Sequence, residues 1–237
     1  MAKWFDKYSF NARYVPAFIT AIPAIVFSAF IKRDVWISLF ENSNFLITEN
    51  LSLSVITILF IIHVQRGIAK HLFENRIFKS GKEFPTTTML LLTNSFLSVE
   101  MKNKIRRKIE TDFGIRLCTL EQEQVNIEEA KKTIRDAVNL IRKQVKDGDK
   151  TLQYNIHYGL SRNLIAGAIF AVPISVLNSV LFGLQNQPGF YLSITMAVFF
   201  SITLIFSKNI LIHYANAYAE YLLSEFLTTK EKGVNHD

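Results

Sequence analysis

From Asn163 to Ser207 the chain runs 45 residues without one Asp, Glu, Lys, Arg or His. At a rise of roughly 1.5 Å per residue this is about twice what a hydrocarbon layer of roughly 30 Å needs, so one span does not use it up. The stretch is expected to fold back on itself. Turn chemistry collects only at Gly183–Gly189, which carries Pro188-Gly189. The pattern therefore predicts two spans, Asn163–Leu184 and Gly189–Ser207. Arg162 precedes the first and Lys208 follows the second, and Lys or Arg just outside a span marks the cytoplasmic side. Both feet of this hairpin are expected in the cytoplasm.

A second apolar pattern opens the chain. After Lys3, Lys7 and Arg13, the 18 residues Tyr14–Ile31 are uncharged. This is too long for the apolar core of a signal peptide and lacks its cleavage pattern, so it reads as an uncleaved first span kinked by Pro23. Lys32–Glu49 is a mixed-charge connection with Trp36 and Phe40. The next uncharged run, Asn50–Ile62 with His63-Val64-Gln65 after it, suffices as a span if Phe45–Thr48 begin it, and Arg66 and Lys70 follow it. Ala17–Phe27 and Gly167–Leu177 align with small residues, Ile, Ala and Pro in register, and each run follows an arginine, Arg13 or Arg162. The two hairpins thus read as one design used twice, a parallel repeat about an axis along the membrane normal.

Between the hairpins the pattern changes to charged, amphipathic helices. The second span is expected to continue through Phe78 until Ser80-Gly81-Lys82 breaks it. Phe84-Pro85-Thr86-Thr87-Thr88-Met89 reads as a helix start, with hydroxyls placed to cap amides or, alternatively, to hold an anion. One helix is expected over Met89–Ile115, apolar at first and then basic through Lys102, Lys104, Arg106, Arg107 and Lys108. Such a run is a solvated or lipid-facing surface, or else a site for an anionic ligand such as nucleic acid. Thr119-Leu120-Glu121-Gln122 matches a capping box. It opens a helix with apolar Val125, Ala130, Ile134, Val138, Ile141 and Val145, closed by Asp147-Gly148-Asp149. Thr151–Arg162 leads straight into the third span, and the fourth is expected to continue to Phe226 with Leu211, Tyr214, Tyr218, Tyr221 and Leu222 on one side.

Composition sharpens this picture in two ways. Hydrophobic residues make up 49% of 237 residues, with 20 Phe, which favours the membrane class. The net charge of +7 sits wholly in Arg66–Arg162, which holds 19 Lys/Arg against 12 Asp/Glu. The single Cys118 forms no intramolecular disulfide and reads as a buried, reduced thiol. No Walker loop, GxGxxG, nucleophile elbow or Cys/His metal spacing occurs, and the five His are scattered. The chain is therefore expected not to be an enzyme, and to use no cofactor or metal. The spans hold uncharged polar residues only, Thr20, Ser28, Thr57, Ser175, Asn178, Ser179, Thr195, Ser201 and Thr203. These either line an aqueous path between subunits or tie helix to helix.

Three phrases, Asn11-Ala12-Arg13-Tyr14-Val15-Pro16-Ala17, Phe84-Pro85-Thr86-Thr87 and Tyr158-Gly159-Leu160-Ser161-Arg162-Asn163-Leu164, resemble a family of small bacterial four-span membrane proteins, mostly uncharacterised. More loosely, the architecture and basic middle are similar to anti-phage membrane effectors of the Hailong type. That resemblance implies a homotetrameric ion channel paired with a nucleotidyltransferase encoded nearby, its soluble side held by a single-stranded DNA oligomer. The fold class expected is all-α and integral to the membrane, with four transmembrane helices as two hairpins and a cytoplasmic helical domain. The divisions are 1–65, 66–162, 163–207 and 208–237. The function expected is a homo-oligomeric inner-membrane channel with cytoplasmic termini, gated by an anionic nucleotide or oligonucleotide. The alternative is a non-conducting scaffold whose basic loop binds anionic lipid or a soluble partner. Lys102, Lys104, Arg106, Arg107 and Lys108 are the expected phosphate contacts, then Lys79, Lys82, Thr86 and Thr87. Tyr158, Arg162 and Asn163 are expected to couple the ligand to the third span.

Overall fold

The computed structural model describes residues 6–31, 60–145, 148–184 and 189–229, and every regular element among them is helical. The chain divides into two units, each built from two stretches. One comprises Met1–Phe73 and Gly159–Ile210, the other Glu74–Tyr158 and Leu211–Asp237. The connection bearing Trp36 and Phe40, the start of the second span with Thr57, residues 185–188 of the hairpin turn and the tail from Lys230 lie outside the described residues.

The first unit is assembled from apolar helices. Lys7–Ser9 and a π-helical turn, Phe10–Tyr14, lead without a break into α1, Val15–Ile31. Residues 60–77 form α2, which is α-helical over 60–68, π-helical over Ala69–Glu74 and closed by Asn75–Ile77. The long helix Asp149–Leu184, called α7 below, has 36 residues, about 54 Å at the usual rise. Gly189–Ile205 (α8) and Ser207–Thr228 (α9) follow, with a bend of 62° at Phe206 in place of one continuous helix. Among the described residues two helices are long and apolar enough to cross a bilayer, Lys7–Phe27 at mean hydropathy 1.4 and Asp149–Leu184 at 2.1, and a third if the bent pair is one span. These helices are compatible with a membrane location.

Helices α1 and α7 pack side by side, and their contacts ascend together. Asn163 Nδ2 donates to the Ala12 carbonyl at 2.5 Å, and Asn178 Nδ2 donates to the Pro23 carbonyl at 2.8 Å. Between these, Thr20 lies so close to Gly167 that a Cβ there would stand 2.5 Å from its methyl group. The two helices therefore run parallel in this unit, and each carries an internal proline, Pro23 and Pro173. Small residues make the approach possible. Ala168 and Ala171 of α7 and Phe200 of α8 form the core, with Ile19, Leu164, Val172, Met196 and Leu204 against it.

The second unit is built on opposite lines, with charge outside and apolar stripes inside. Its elements in chain order are α3 (Pro85–Thr88), α4 (Val99–Phe113), α5 (Leu120–Val125) and α6 (Ile127–Gln144), joined by residues 149–158 of α7 and 211–228 of α9. The stripe Ala130, Ile134, Ala137, Val138 and Ile141 is buried, as are Ile105 and Ile109 of α4 and Leu211, Leu222, Leu223 and Phe226 of α9. Each such large side chain stabilises the unit by about 1.5–3 kcal/mol relative to exposure. Thr119 and Gln122 form the expected capping box. The expected long helix over Met89–Ile115 is instead one turn, an irregular stretch, and a helix that starts at Val99. Asn94 and Ser95 favour turns, and Ser98 caps the new start by accepting the Met101 N–H at 3.2 Å. Asn126 interrupts the next helix in the same way, accepting the Glu129 N–H at 3.2 Å.

Candidate functional site

Two groups of polar residues stand out, one in each unit. In the first unit they form a buried seam. Thr20 donates to the Pro16 carbonyl at 2.8 Å, and Gln65 Nε2 donates to Thr20 Oγ1 at 2.5 Å. Gly167 admits this pair, since a Cβ there would stand 2.5 Å from Gln65 Nε2. A cleft of about 300 Å³ opens beside them, lined by Thr20, Ala24, Phe60, Gln65, Gly167 and Phe170 among others. Gln65, Asn163, Ser175 and Asn178 are all buried, and Gln65 Oε1, Asn163 Oδ1, Ser175 Oγ and Asn178 Oδ1 have no hydrogen-bond partner among the described residues. Such groups cost free energy in an apolar surrounding unless water or another chain meets them.

In the second unit the basic run of α4 does not present one face. Lys102 is 2% exposed, and its ammonium donates to the Leu91 and Asn94 carbonyls, closing the irregular stretch onto the helix. Burial pushes its pKa down, with Glu123 opposing that and Arg106 adding to it. Arg106 donates to the Leu90 carbonyl at 3.1 Å, to Glu123 Oε1 at 3.3 Å and to the Cys118 carbonyl. Glu123 also accepts the Leu92 N–H at 2.8 Å. Lys108 pairs with Asp112 at 3.1 Å in the interior and lies over the Phe226 ring. Three of the five cations thus fasten loops and helices together, and only Lys104 and Arg107 are exposed. Lys104 pairs with Glu100 at 2.8 Å and holds that carboxyl below its usual pKa.

The remaining expected site residues divide similarly. Lys79 and Lys82 are exposed and paired, with Glu83 at 2.6 Å and Glu128 at 2.7 Å. The hydrogen bond to Glu83 raises the Lys79 pKa, and that from Lys82 lowers the Glu128 pKa. Backbone φ is positive at Lys79, Ser80 and Gly81, which ends α2 at the expected break. Thr86 and Thr87 are buried, and no side chain caps their one-turn helix. Arg142 donates to Thr86 Oγ1 at 3.3 Å and spans the faces of Phe84 and Tyr218. Tyr158 is buried edge-on against Phe84 at 5.6 Å, so it belongs to this aromatic cluster. Arg162 and Asn163 lie in the first unit.

Cys118 is unpaired and half-buried, beside an open groove lined by Glu121, Gln122, Val125 and Glu129. No group of three or more His, Cys, Asp or Glu among the described residues is placed to hold a metal ion. Sequence reasoning did not single out Gln65 or Glu123, which organise the two polar groups. Gln65 had one signal, as the last residue of an uncharged run. Glu123 had none, because one acidic residue in a capped, charged helix looks like every other. No family model, curated protein or solved structure matches the chain.

Proposed function

We propose that the chain is the subunit of a homo-oligomeric channel in a bacterial inner membrane, with both termini cytoplasmic, regulated by an anionic nucleotide or oligonucleotide. The observation that carries this reading is the buried seam. Gln65, Asn163, Ser175 and Asn178 are polar but uncharged, and their acceptors, without a partner among the described residues, favour water or a neighbouring copy inside an otherwise apolar unit. Two hairpins enclose little volume, so conduction is assigned to a closed ring of subunits. The exposed cations Lys79, Lys82, Lys104 and Arg107 are the contacts left for a phosphate backbone. A shift from 99:1 closed to 99:1 open needs roughly 5.5 kcal/mol of differential binding, which a few contacts repeated around a ring supply. The anti-phage setting and a neighbouring nucleotidyltransferase rest on the resemblance of architecture.

The test is ion and dye release from liposomes holding the full chain, with and without a single-stranded oligonucleotide. Release that Gln65→Leu and Asn178→Leu together abolish is the expected result. Release no greater than from empty liposomes in both conditions overturns the reading. One observation favours a non-conducting scaffold instead, namely the internal use of Lys102, Arg106 and Lys108, which leaves less basic surface for nucleic acid. A scaffold predicts no release and no response to the oligonucleotide.

A further inference from the structure

Three apolar runs in the first unit are each bounded by an arginine. Arg13 precedes Tyr14–Ile31, Arg66 follows the run that ends at Gln65, and Arg162 precedes Asn163–Ser207. The fold gathers the three. Asn163, next to Arg162, is bonded to the carbonyl of Ala12, next to Arg13. Gln65, next to Arg66, is bonded to Thr20 of α1 and lies against Gly167 of α7. Tyr8 completes the group, since the Arg13 guanidinium carbon lies 5.4 Å from its ring centre. A Cβ on Gly159, one turn before Asn163, would stand 3.1 Å from the Tyr8 hydroxyl.

The electrostatics agree with this geometry. Burial lowers the Arg66 pKa first, Arg13 and Arg162 lower it further, and Tyr8 partly offsets them. Guanidinium does not shed its proton in proteins, so the three stay positive and together favour an anion beside them. Forked donors suit carboxylate and phosphate alike, and a ligand met by three of them suits phosphate, which has more acceptor oxygens. Arg66 is exposed while Arg13 and Arg162 are half-buried, so the group is open to a ligand at one side. Exposed Lys7 and Lys70 lie near Arg13 and Arg66 in sequence. All three arginines stand where an uncharged run ends, which is the depth of lipid headgroups.

We propose that Arg13, Arg66 and Arg162 form a phosphate-binding site at the foot of the apolar helices, for a lipid headgroup phosphate or a soluble phosphorylated ligand. The site is independent of whether the chain conducts. It is distinct from the exposed lysines of the second unit.

The full chain in maltoside micelles is titrated separately with inorganic phosphate and with dihexanoyl-phosphatidylglycerol, and binding is read by calorimetry. Saturable binding of at least one probe is expected, weakened about tenfold or more by Arg66→Gln and less by Arg66→Lys. Lys132→Gln, at an exposed position of α6, leaves it unchanged. Binding of inorganic phosphate identifies a soluble ligand, and binding of phosphatidylglycerol alone identifies a headgroup site. The proposal is overturned if neither probe saturates, or if Arg66→Gln and Arg66→Lys, with unchanged helical circular dichroism, bind as the parent does.

Discussion

The two units apply one rule and arrive at opposite surfaces. In the first, Phe18, Ile25, Phe170, Val180, Val198 and Ile205 are exposed while Thr20, Gln65, Asn163, Ser175 and Asn178 are buried. In the second, Ile105, Ile134, Ile141 and Leu222 are buried and most charges are outside. An outward apolar surface of that extent suits hydrocarbon rather than water. The lesson is that burial follows the surrounding solvent. The polar groups that remain inside then differ in kind. The first unit holds neutral amides and hydroxyls, where an isolated charge is expensive. The second holds whole ion pairs, because its buried cations each have a carboxylate or carbonyls within reach.

This contrast is broken most severely at Glu123. Its replacement by Ala strands Arg106 beside the buried Lys102 and frees the Leu92 N–H, a loss of about 3–5 kcal/mol. Urea unfolding followed by helical circular dichroism reads the change. A double variant, Glu123→Leu with Arg106→Met, is expected to recover much of the loss, and equal loss in both would show that charge pairing is not the cause.

The corresponding attack on the first unit is steric. Gly167→Leu drives a side chain into Thr20 and Gln65, which should cost about 1–3 kcal/mol and lower the melting temperature in detergent micelles. An unchanged melting temperature would mean that α1 and α7 do not meet there.

The smallest effect belongs to the exposed pair Lys82–Glu128. Lys82 lowers the Glu128 pKa, so the folded carboxylate is favoured over the unfolded one. Its contribution is present above the unfolded value and lost as pH falls through the lowered folded value. Lys82→Gln should therefore lie slightly below the parent in stability at neutral pH and coincide with it in acid. Added salt should narrow the neutral gap. A gap that persists in acid would assign the effect to packing.

Much of the helical plan was legible in the sequence. The uncharged run from Tyr14, the break at Ser80-Gly81-Lys82, the capping box at Thr119 and the straight lead from Thr151 into the third apolar run are local signals, and the structure has each of them. The interruptions at Asn94–Ser98 and Asn126 depart from the expected helices because short polar side chains compete for backbone groups on a scale that an apolar period does not register. The bend at Phe206 had no signal in residue type.

What the sequence determined by itself was therefore the pattern of elements, because periodicity, capping and turn chemistry act over a few residues. What only the tertiary structure decided was the use of each charge. Lys102, Lys104, Arg106, Arg107 and Lys108 follow one another on a single helix, yet three are internal fasteners and two face outward. Arg13, Arg66 and Arg162 are far apart in sequence and come together in space. Coulomb interaction and desolvation depend on distance and surroundings, and those are set by packing between segments that no local window of sequence contains.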